Sequence, residues 1–276
     1  PPMHLTVLFA ARSERWDQYE TPTLAAFRDA GLDVRLVTEA APETVDYIVY
    51  APNSGLRDFR PYTRLKAVLN LWAGVEDVVD NPTLAAPLAR MVDEEGLTQG
   101  MVEWVSGHVL RHHLGMDAHI HGQDGIWRSG APPLATERAV TILGLGALGS
   151  ACGRALAALG FPVTGWSRRP RRIEGLRTYS GAEGLEAALE GAQILVLLLP
   201  LTRETENLMN AERLARLPHD AVLINPGRGA LIDDGALLAA LDAGRLAHAT
   251  LDVFRQEPLP PEHPFWAHPR VTVTPH

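Results

Sequence analysis

The chain has 276 residues and a formal net charge of −8; 46% of its residues are hydrophobic and 21% are charged. That composition is typical of a globular protein with two domains and excludes a disordered chain. The acidic balance argues against a general nucleic-acid binder or a protein that binds anionic membranes. No apolar run approaches the ~20 residues of a membrane span, and the single cysteine, Cys152, excludes an intrachain disulfide. We therefore expect a cytoplasmic protein with no nucleic-acid or membrane partner, and Cys152 as a small core residue.

Short apolar runs alternate with helical stretches in the first third of the chain. Strands are predicted at 5–10, 33–37, 47–50 and 67–71, and a helix at 21–30 that ends at Gly31. Short apolar strands separated by helices indicate a parallel sheet that is covered on both faces.

A second alternating series follows a change of pattern near residue 97. It comprises a long helix at 101–113, a loose glycine- and proline-rich stretch at 119–133, and strands at 139–143, 161–166, 192–199, 221–224, 247–253 and 271–274. The pattern predicts an α/β protein with two Rossmann-like domains and parallel sheets, residues 1–96 and 97–276. We expect the active site in the cleft between the two domains.

A glycine-rich loop joins the first strand of the second domain to the helix predicted at 150–159. The loop is Gly144-Leu145-Gly146-Ala147-Leu148-Gly149. Between a strand and a helix, Gly144 permits a tight turn, Gly146 lets the backbone approach a pyrophosphate, and Gly149 lets the helix pack closely on the strand. The N–H groups at the start of the helix then favour phosphate. A dinucleotide site is predicted here, in preference to a glycine-rich turn without a ligand.

The turn after the next strand is basic. An NAD enzyme presents a carboxylate to the ribose about 20 residues past the glycine loop. This chain instead has Ser167-Arg168-Arg169-Pro170-Arg171-Arg172. Guanidinium groups match a phosphate in charge and geometry, so NADP(H) is the predicted cofactor, with Arg168 and then Arg169 as phosphate ligands and Ser167 as a further donor. NAD(H) stays open, because the alternative is a solvated basic turn.

Three polar residues follow strands in the last fifth of the chain: Arg228, Glu257 and His276. Ligands bind outside the carboxyl ends of parallel strands, so all three residues are predicted to reach one crevice. Arginine recognises a carboxylate in a bidentate manner, and histidine donates protons near neutral pH. A neighbouring carboxylate orients the imidazole ring. The set suits reduction of a 2-oxo acid, with the hydride supplied by the cofactor.

At these residues the chain resembles the D-isomer-specific 2-hydroxyacid dehydrogenases, and most of all their glyoxylate/hydroxypyruvate reductase members. The family motifs are the glycine loop, Leu198-Leu199-Pro200-Leu201-Thr202, Ile224-Asn225-Pro226-Gly227-Arg228-Gly229, Leu251-Asp252-Val253-Phe254 with Glu257-Pro258, and Thr274-Pro275-His276. The narrower likeness lies in Leu71-Trp72-Ala73-Gly74-Val75, Gly96-Leu97-Thr98-Gln99-Gly100-Met101 and Trp166-Ser167-Arg168. Members of the family continue for a few tens of residues beyond this histidine, in a helix that crosses back to the first domain.

The resemblance implies a role for each residue of the site. Arg228 binds substrate, Glu257 pairs with His276, and His276 is the acid/base. Asp252 holds the nicotinamide carboxamide, and Pro200 lines the cofactor cleft. On the substrate side, the resemblance implies that the backbone N–H groups of Gly74 and Val75 bind the substrate carboxylate and that Trp72 walls the pocket.

The implied reaction is NADPH-dependent reduction of a small 2-oxo acid, glyoxylate to glycolate or hydroxypyruvate to glycerate. The hydride comes from C4 of the nicotinamide and the proton from His276. The alternatives are an NAD-linked dehydrogenase of another 2-hydroxy acid and a nicotinamide-sensing binding protein on the same fold. The resemblance also implies a homodimer formed through the helix near residues 101–113. His108 and His112 of that helix are four residues apart, but no glutamate or cysteine completes a metal site, so we expect no metal.

Overall fold

The computed structural model describes residues 4 to 276, with Glu94 described by its backbone alone. The chain divides into two compact units, the first ending at Asp93 and the second running from Glu94 to His276. No helix within residues 4–276 is long and apolar enough to cross a membrane.

The strands described in the first unit form one parallel sheet in the order β2-β1-β3-β4-β5. Their bounds are β1 Leu5–Ala10, β2 Val34–Val37, β3 Tyr47–Tyr50, β4 Ala67–Asn70 and β5 Leu88–Ala89, with α1 at Trp16–Asp29 and 3-10 turns at Ser13–Arg15, Pro42–Thr44 and Pro52–Ser54. Successive side chains of a strand point to opposite faces. Val7 and Phe9 therefore join one apolar cluster, while Leu8 joins another with Ile48 and Tyr50.

Helix α1 differs from the prediction at its start. It begins at Trp16 rather than near residue 21, so Pro22 lies inside the helix instead of in its first turn. Trp16 and Tyr19 pack on Phe9, with ring centroids 5.3 and 5.8 Å apart. Burial of these two rings on the sheet outweighs the proline, a tertiary effect that helical periodicity does not reveal.

The strands described in the second unit form a larger parallel sheet in the order β12-β11-β10-β9-β6-β7-β8. Their bounds are β6 Val140–Leu143, β7 Val163–Ser167, β8 Arg177–Ser180, β9 Ile194–Leu197, β10 Ala221–Asn225, β11 Leu246–Leu251 and β12 Val271–Val273. The helices are α2 Gln99–His113, α3 Met116–His121, α4 Ala147–Ala158, α5 Gly181–Glu190, α6 Ala211–Arg216 and α7 Asp234–Asp242, with a π-helical turn at Glu94–Thr98 and 3-10 turns at Ala135–Glu137 and Gly229–Leu231. The two parallel sheets confirm the predicted α/β class.

Several local expectations for the second unit were wrong. Helix α3 lies partly in the stretch predicted to be loose, and β8 and α5 were not predicted. Strand β8 has only half-buried or exposed residues because it is an edge strand, so it lacks the apolar signal of the central strands. Cys152 is buried, as expected, and burial raises the pKa of its thiol to about 12.

Strands β10, β11 and β12 are neighbours at one end of this sheet. Their register pairs Asn225 with Leu251, and Leu251 with Val273. Because the three strands are parallel and end at the same level, the segments that follow them leave the sheet side by side. This register positions the candidate site.

Candidate active site

The glycine loop has the geometry of a phosphate cradle. Gly144 has φ of +107°, and a Cβ there would lie 2.4 Å from the carbonyl oxygen of Leu198. A Cβ at Gly149 would lie 1.7 Å from the carbonyl oxygen of Gly144. A Cβ at Gly146, in contrast, would meet nothing within 4 Å. The glycines at the two ends of the loop are thus required by packing, while Gly146 leaves one side of the loop open.

Helix α4 begins directly after this open position. Gly146 is its N-cap residue, and Ala147 and Leu148 form the first turn, exposed and half-buried respectively. The N–H groups of a first helical turn have no partner within the helix and carry a partial positive charge. An open glycine at the start of an apolar helix therefore fits the pyrophosphate of a dinucleotide.

The basic turn lies against the glycine loop. Arg168 and Arg169 are exposed, and Arg171 Nη1 donates to the carbonyl oxygen of Leu145 at 3.0 Å. The Arg171 bond ties the turn to the loop, so the exposed guanidinium groups stay close to the phosphate cradle. The pKa of Glu204 is lowered by a hydrogen bond from Thr202 and, to a smaller extent, by the charge of Arg168.

Ser167 differs from its predicted use as a phosphate donor. Its hydroxyl donates to the carbonyl oxygen of Arg169 at 2.7 Å, and the residue is only 9% exposed. A serine hydroxyl has one proton, so this bond uses the donor within the turn. Ser167 therefore shapes the turn that presents the arginines.

The segment after β10 is held by a buried asparagine. Asn225 is fully buried; its Nδ2 donates to the carbonyl oxygen of Arg228 and its Oδ1 accepts from Gly227 N, both at 3.0 Å. Arg228 is half-buried, and its Nη1 donates to the carbonyl oxygen of Gly227 at 2.8 Å. A Cβ at Gly229 would lie 2.1 Å from the carbonyl carbon of Phe254. The arginine segment thus packs directly against the segment that follows β11.

Glu257 and His276 form a hydrogen-bonded pair. His276 Nδ1 lies 2.7 Å from Glu257 Oε2, and Glu257 Oε1 accepts the backbone N–H of Phe254 at 2.9 Å. Both side chains keep contact with solvent, with exposed fractions of 51% for His276 and 35% for Glu257. An ionised carboxylate only accepts, so Nδ1 carries a hydrogen and Nε2 is the nitrogen that can exchange a proton with a ligand.

Asp252 lies one residue beyond β11 and is bonded to the segment that carries His276. Thr274 Oγ1 donates to Asp252 Oδ1 at 2.5 Å, and both residues are half-buried. Pro200, which follows β9, is exposed, and its carbonyl oxygen accepts from Thr205 Oγ1 at 2.7 Å. Asp252 and Pro200 therefore both lie just past the carboxyl ends of strands of the same sheet.

The predicted substrate residues lie in the first unit, in the loop after β4. Trp72 is 42% exposed, and Gly74 and Val75 are half-buried. The buried Asn70 donates through Nδ2 to the carbonyl oxygens of Trp72 and Gly74, at 2.8 Å each. This amide fixes the curvature of the loop.

His112 of α2 and His248 of β11 each bond to a threonine of the sheet. His112 Nε2 lies 2.8 Å from Thr250 Oγ1, and His248 Nε2 of β11 lies 2.8 Å from Thr272 Oγ1 of β12. Burial is the main cause that lowers the pKa of His112 to about 3 and that of His248 to about 4. Within the described residues, no group of three histidine, cysteine, aspartate or glutamate side chains is placed to hold a metal ion.

Sequence reasoning missed Asn70, Asn225 and Thr274 as supporting residues. Each lies at or just past the end of a strand whose loop carries a candidate site residue. Asparagine at the end of an apolar strand was the available signal for the first two, because a buried amide needs partners. Thr274 gave no such signal, since its partner Asp252 is 22 residues away in the chain.

A glycine cradle beside a basic turn, with an arginine and a glutamate–histidine pair at neighbouring strand ends, defines the class of nicotinamide-dependent oxidoreductases. The model of the D-isomer specific 2-hydroxyacid dehydrogenase NAD-binding domain matches residues 107–276. The chain belongs to that family.

Curated and solved relatives agree with this assignment. The chain is 44% identical over 221 residues to glyoxylate/hydroxypyruvate reductase A of Serratia proteamaculans, covering 77% of this chain and 70% of the relative. It is similar to a D-isomer specific 2-hydroxyacid dehydrogenase of Xanthobacter autotrophicus solved with NADPH and MES, with a TM-score of 0.90, 40% identity, and coverage of 98% of this chain and 87% of that one. It is also similar to an NADPH-dependent glyoxylate/hydroxypyruvate reductase of Sinorhizobium meliloti solved with NADP and sulfate, with a TM-score of 0.84, 38% identity, and coverage of 99% and 88%.

Proposed function

We propose that this protein is an NADPH-dependent reductase of small 2-oxo acids that converts glyoxylate to glycolate and hydroxypyruvate to glycerate. The observation that carries the proposal is the His276–Glu257 pair at 2.7 Å. His276 follows β12, Asp252 and Glu257 follow β11, and Arg228 follows β10, and these three strands are neighbours. The relatives named for this activity, and the neighbours solved with NADPH or NADP, support it.

Each residue of the set has one task in this proposal. The cofactor, when bound, supplies a hydride from C4 of its nicotinamide. Arg228 binds the carboxylate and polarises the carbonyl of the 2-oxo acid, and His276 donates a proton from Nε2 to the oxygen that becomes the hydroxyl. Glu257 holds the imidazole through Nδ1, while the Phe254 N–H keeps the carboxylate in place.

We assign the cofactor to residues 97–276 and the substrate loop to residues 1–96. Gly144, Gly146, Ala147, Leu148 and Gly149 form the pyrophosphate site; Pro200 lines the cofactor cleft and Asp252 holds the carboxamide. The N–H groups of Gly74 and Val75 bind the substrate carboxylate beside Trp72. The loop curvature imposed by Asn70 supports this use.

The preference for NADPH depends on the basic turn. Arg168 and Arg169 are exposed beside the glycine loop, where the 2′-phosphate of NADP would lie. No carboxylate follows β7 before Glu174 in the sequence. Guanidinium groups at this position favour the phosphate over a bare ribose hydroxyl.

We further propose a cytoplasmic homodimer. The apolar stripe of α2 is used within its own unit, because Val105 and Val109 are fully buried there. The segment that follows α2 carries large exposed apolar side chains: Ile120, Ile126, Trp127 and Leu134, the tryptophan being 94% exposed. Such a patch is typical of an interface between subunits, so we extend the dimer surface from α2 into this segment. A lone, buried cysteine suits a reducing compartment.

The test is a comparison of cofactors and substrates. NADPH and NADH oxidation is measured with glyoxylate, hydroxypyruvate, pyruvate and phosphonooxypyruvate. We expect the highest kcat/KM with NADPH and one of the first two acids. Preference for NADH would overturn the assignment of the arginines. Binding of NADPH without turnover of any 2-oxo acid would favour a nicotinamide-sensing binding protein instead.

A further inference from the structure

Asp252 and Thr274 occupy equivalent positions on two neighbouring strands. Leu251 of β11 pairs with Val273 of β12, so the residues that follow them, Asp252 and Thr274, form the next step of the same parallel register. The backbone N–H of Thr274 still donates to the carbonyl oxygen of Leu251 at 3.0 Å. Their side chains thus lie side by side where both strands leave the sheet.

The Thr274 hydroxyl donates its hydrogen bond to Asp252. Oγ1 lies 2.5 Å from Asp252 Oδ1, a short, charge-assisted hydrogen bond. Asp252 is also held by its backbone, since its N–H donates to the carbonyl oxygen of Asn225 at 3.0 Å. A carboxylate fixed at its backbone and at one oxygen has a single remaining rotational setting. Oδ2 then keeps one direction for a further donor.

We infer that Thr274 is a positioning residue that sets Asp252 to receive the carboxamide N–H of a bound nicotinamide. The inference rests on the proposed function for the role of Asp252. Thr274 acts through Asp252 and does not itself touch substrate.

The same bond connects this aspartate to the proton donor. His276 is two residues beyond Thr274 on the same extended segment, and its own side chain is held by Glu257. Anchoring Thr274 to Asp252 therefore fixes the exit of β12 relative to β11. The β12 strand is only three residues long and is an edge strand, so the Thr274–Asp252 bond adds a side-chain link to its backbone pairing with β11.

Cofactor affinity gives a readout that separates positioning from a purely structural role. Calorimetric Kd values are measured for NADP⁺ and for its 3-acetylpyridine analogue, whose acetyl group lacks the amide N–H. We expect Thr274→Val to weaken NADP⁺ about tenfold, the worth of one hydrogen bond to a charged group, and to change the Kd of the analogue less than twofold. Thr274→Ser keeps the hydroxyl and should bind both ligands as the unaltered protein does.

A matched control lies at the opposite edge of the sheet. Thr178→Val makes the same substitution at a half-buried threonine of β8 and should leave both Kd values unchanged. A second pair of variants tests whether Thr274 acts through Asp252. With Asp252→Asn already present, adding Thr274→Ala should weaken NADP⁺ binding by less than Thr274→Ala does alone, because the effects of coupled residues are not additive.

Equal weakening of NADP⁺ and the analogue, or no weakening of either, would overturn the inference. So would full additivity of Thr274→Ala with Asp252→Asn. These measurements use binding alone. A protein that binds NADP⁺ but reduces no 2-oxo acid would refute the proposed function and leave the assignment of Thr274 to be decided by the Kd values.

Discussion

Glu257 Oε2 lies 2.7 Å from Nδ1 of His276, so the histidine is held by one ring nitrogen and its Nε2 is not part of that bond. The second oxygen of the carboxylate is bonded to the backbone of its own segment, at Phe254. Each oxygen of the carboxylate therefore has a hydrogen-bond partner. This arrangement supports the proposed role of Nε2 as proton donor and gives the first prediction.

His276→Asn removes the proton donor while an amide N–H can still reach Glu257. We expect kcat for glyoxylate to fall by about 10²–10⁴-fold, the usual contribution of a general acid. The Kd of NADP⁺ should stay within twofold, because the cofactor residues are unchanged. Steady-state kinetics and calorimetry measure the two quantities. Unaltered kcat would remove His276 from its proposed role.

Arg168→Ala should raise the KM for NADPH by about tenfold or more and leave the KM for NADH unchanged, since charge-assisted bonds to the 2′-phosphate are lost. The matched control is Arg172→Ala, which removes another exposed arginine of the same turn. Equal effects of the two substitutions would mean that the turn acts only through its summed charge.

Gly229→Ala should destabilise the second unit and reduce activity together. The added Cβ would lie 2.1 Å from the Phe254 carbonyl carbon, so the Arg228 and Glu257 segments must separate. Overpacking of this kind costs about 1–3 kcal/mol of unfolding free energy. Urea unfolding and kcat check both parts. At Gly191 an added Cβ meets nothing within 4 Å, so Gly191→Ala is the control and should change neither quantity by as much.

The free energy of unfolding should fall as the pH drops below about 6.5. Burial is the main cause that lowers the pKa of His112 to about 3 and that of His248 to about 4 in the folded protein. Between pH 6.5 and pH 4 the unfolded chain therefore binds protons that the folded chain does not, and stability present above pH 6.5 is lost. Urea unfolding at pH 7.5 and pH 5.5 measures the loss.

His112→Gln with His248→Gln should make that loss smaller, because glutamine does not titrate. The control is His219→Gln, at an exposed histidine beside Asp220. A pH dependence unchanged by the double substitution would place the titrating groups elsewhere.

Local sequence was enough to predict the parts of the candidate site that depend on residues adjacent in the chain. The glycine loop between a strand and a helix, the basic turn and the three polar residues after apolar strands are all patterns of a few consecutive positions. Their backbone requirements, such as φ of +107° at Gly144, are met by the residue itself. The strands of the sheet centres were predictable for the same reason, since full burial demands continuous apolar runs.

Edge strands, and contacts between residues far apart in the chain, could not be predicted from local sequence. The polar edge strand β8 carries no apolar run, and α1 begins at Trp16 because its aromatic side chains pack on Phe9, against the local signal of Pro22.

The sequence by itself determined the α/β class and was enough to propose the dinucleotide loop and Arg228, Glu257 and His276 as site residues, because strand periodicity and loop chemistry are local properties. Only the tertiary structure decided which strands are neighbours and in what register. That register brings Thr274 to Asp252, and packing of α2 on the sheet brings His112 to Thr250. Hydrogen bonds between residues far apart in the chain depend on strand order, and strand order is set by packing of the whole sheet.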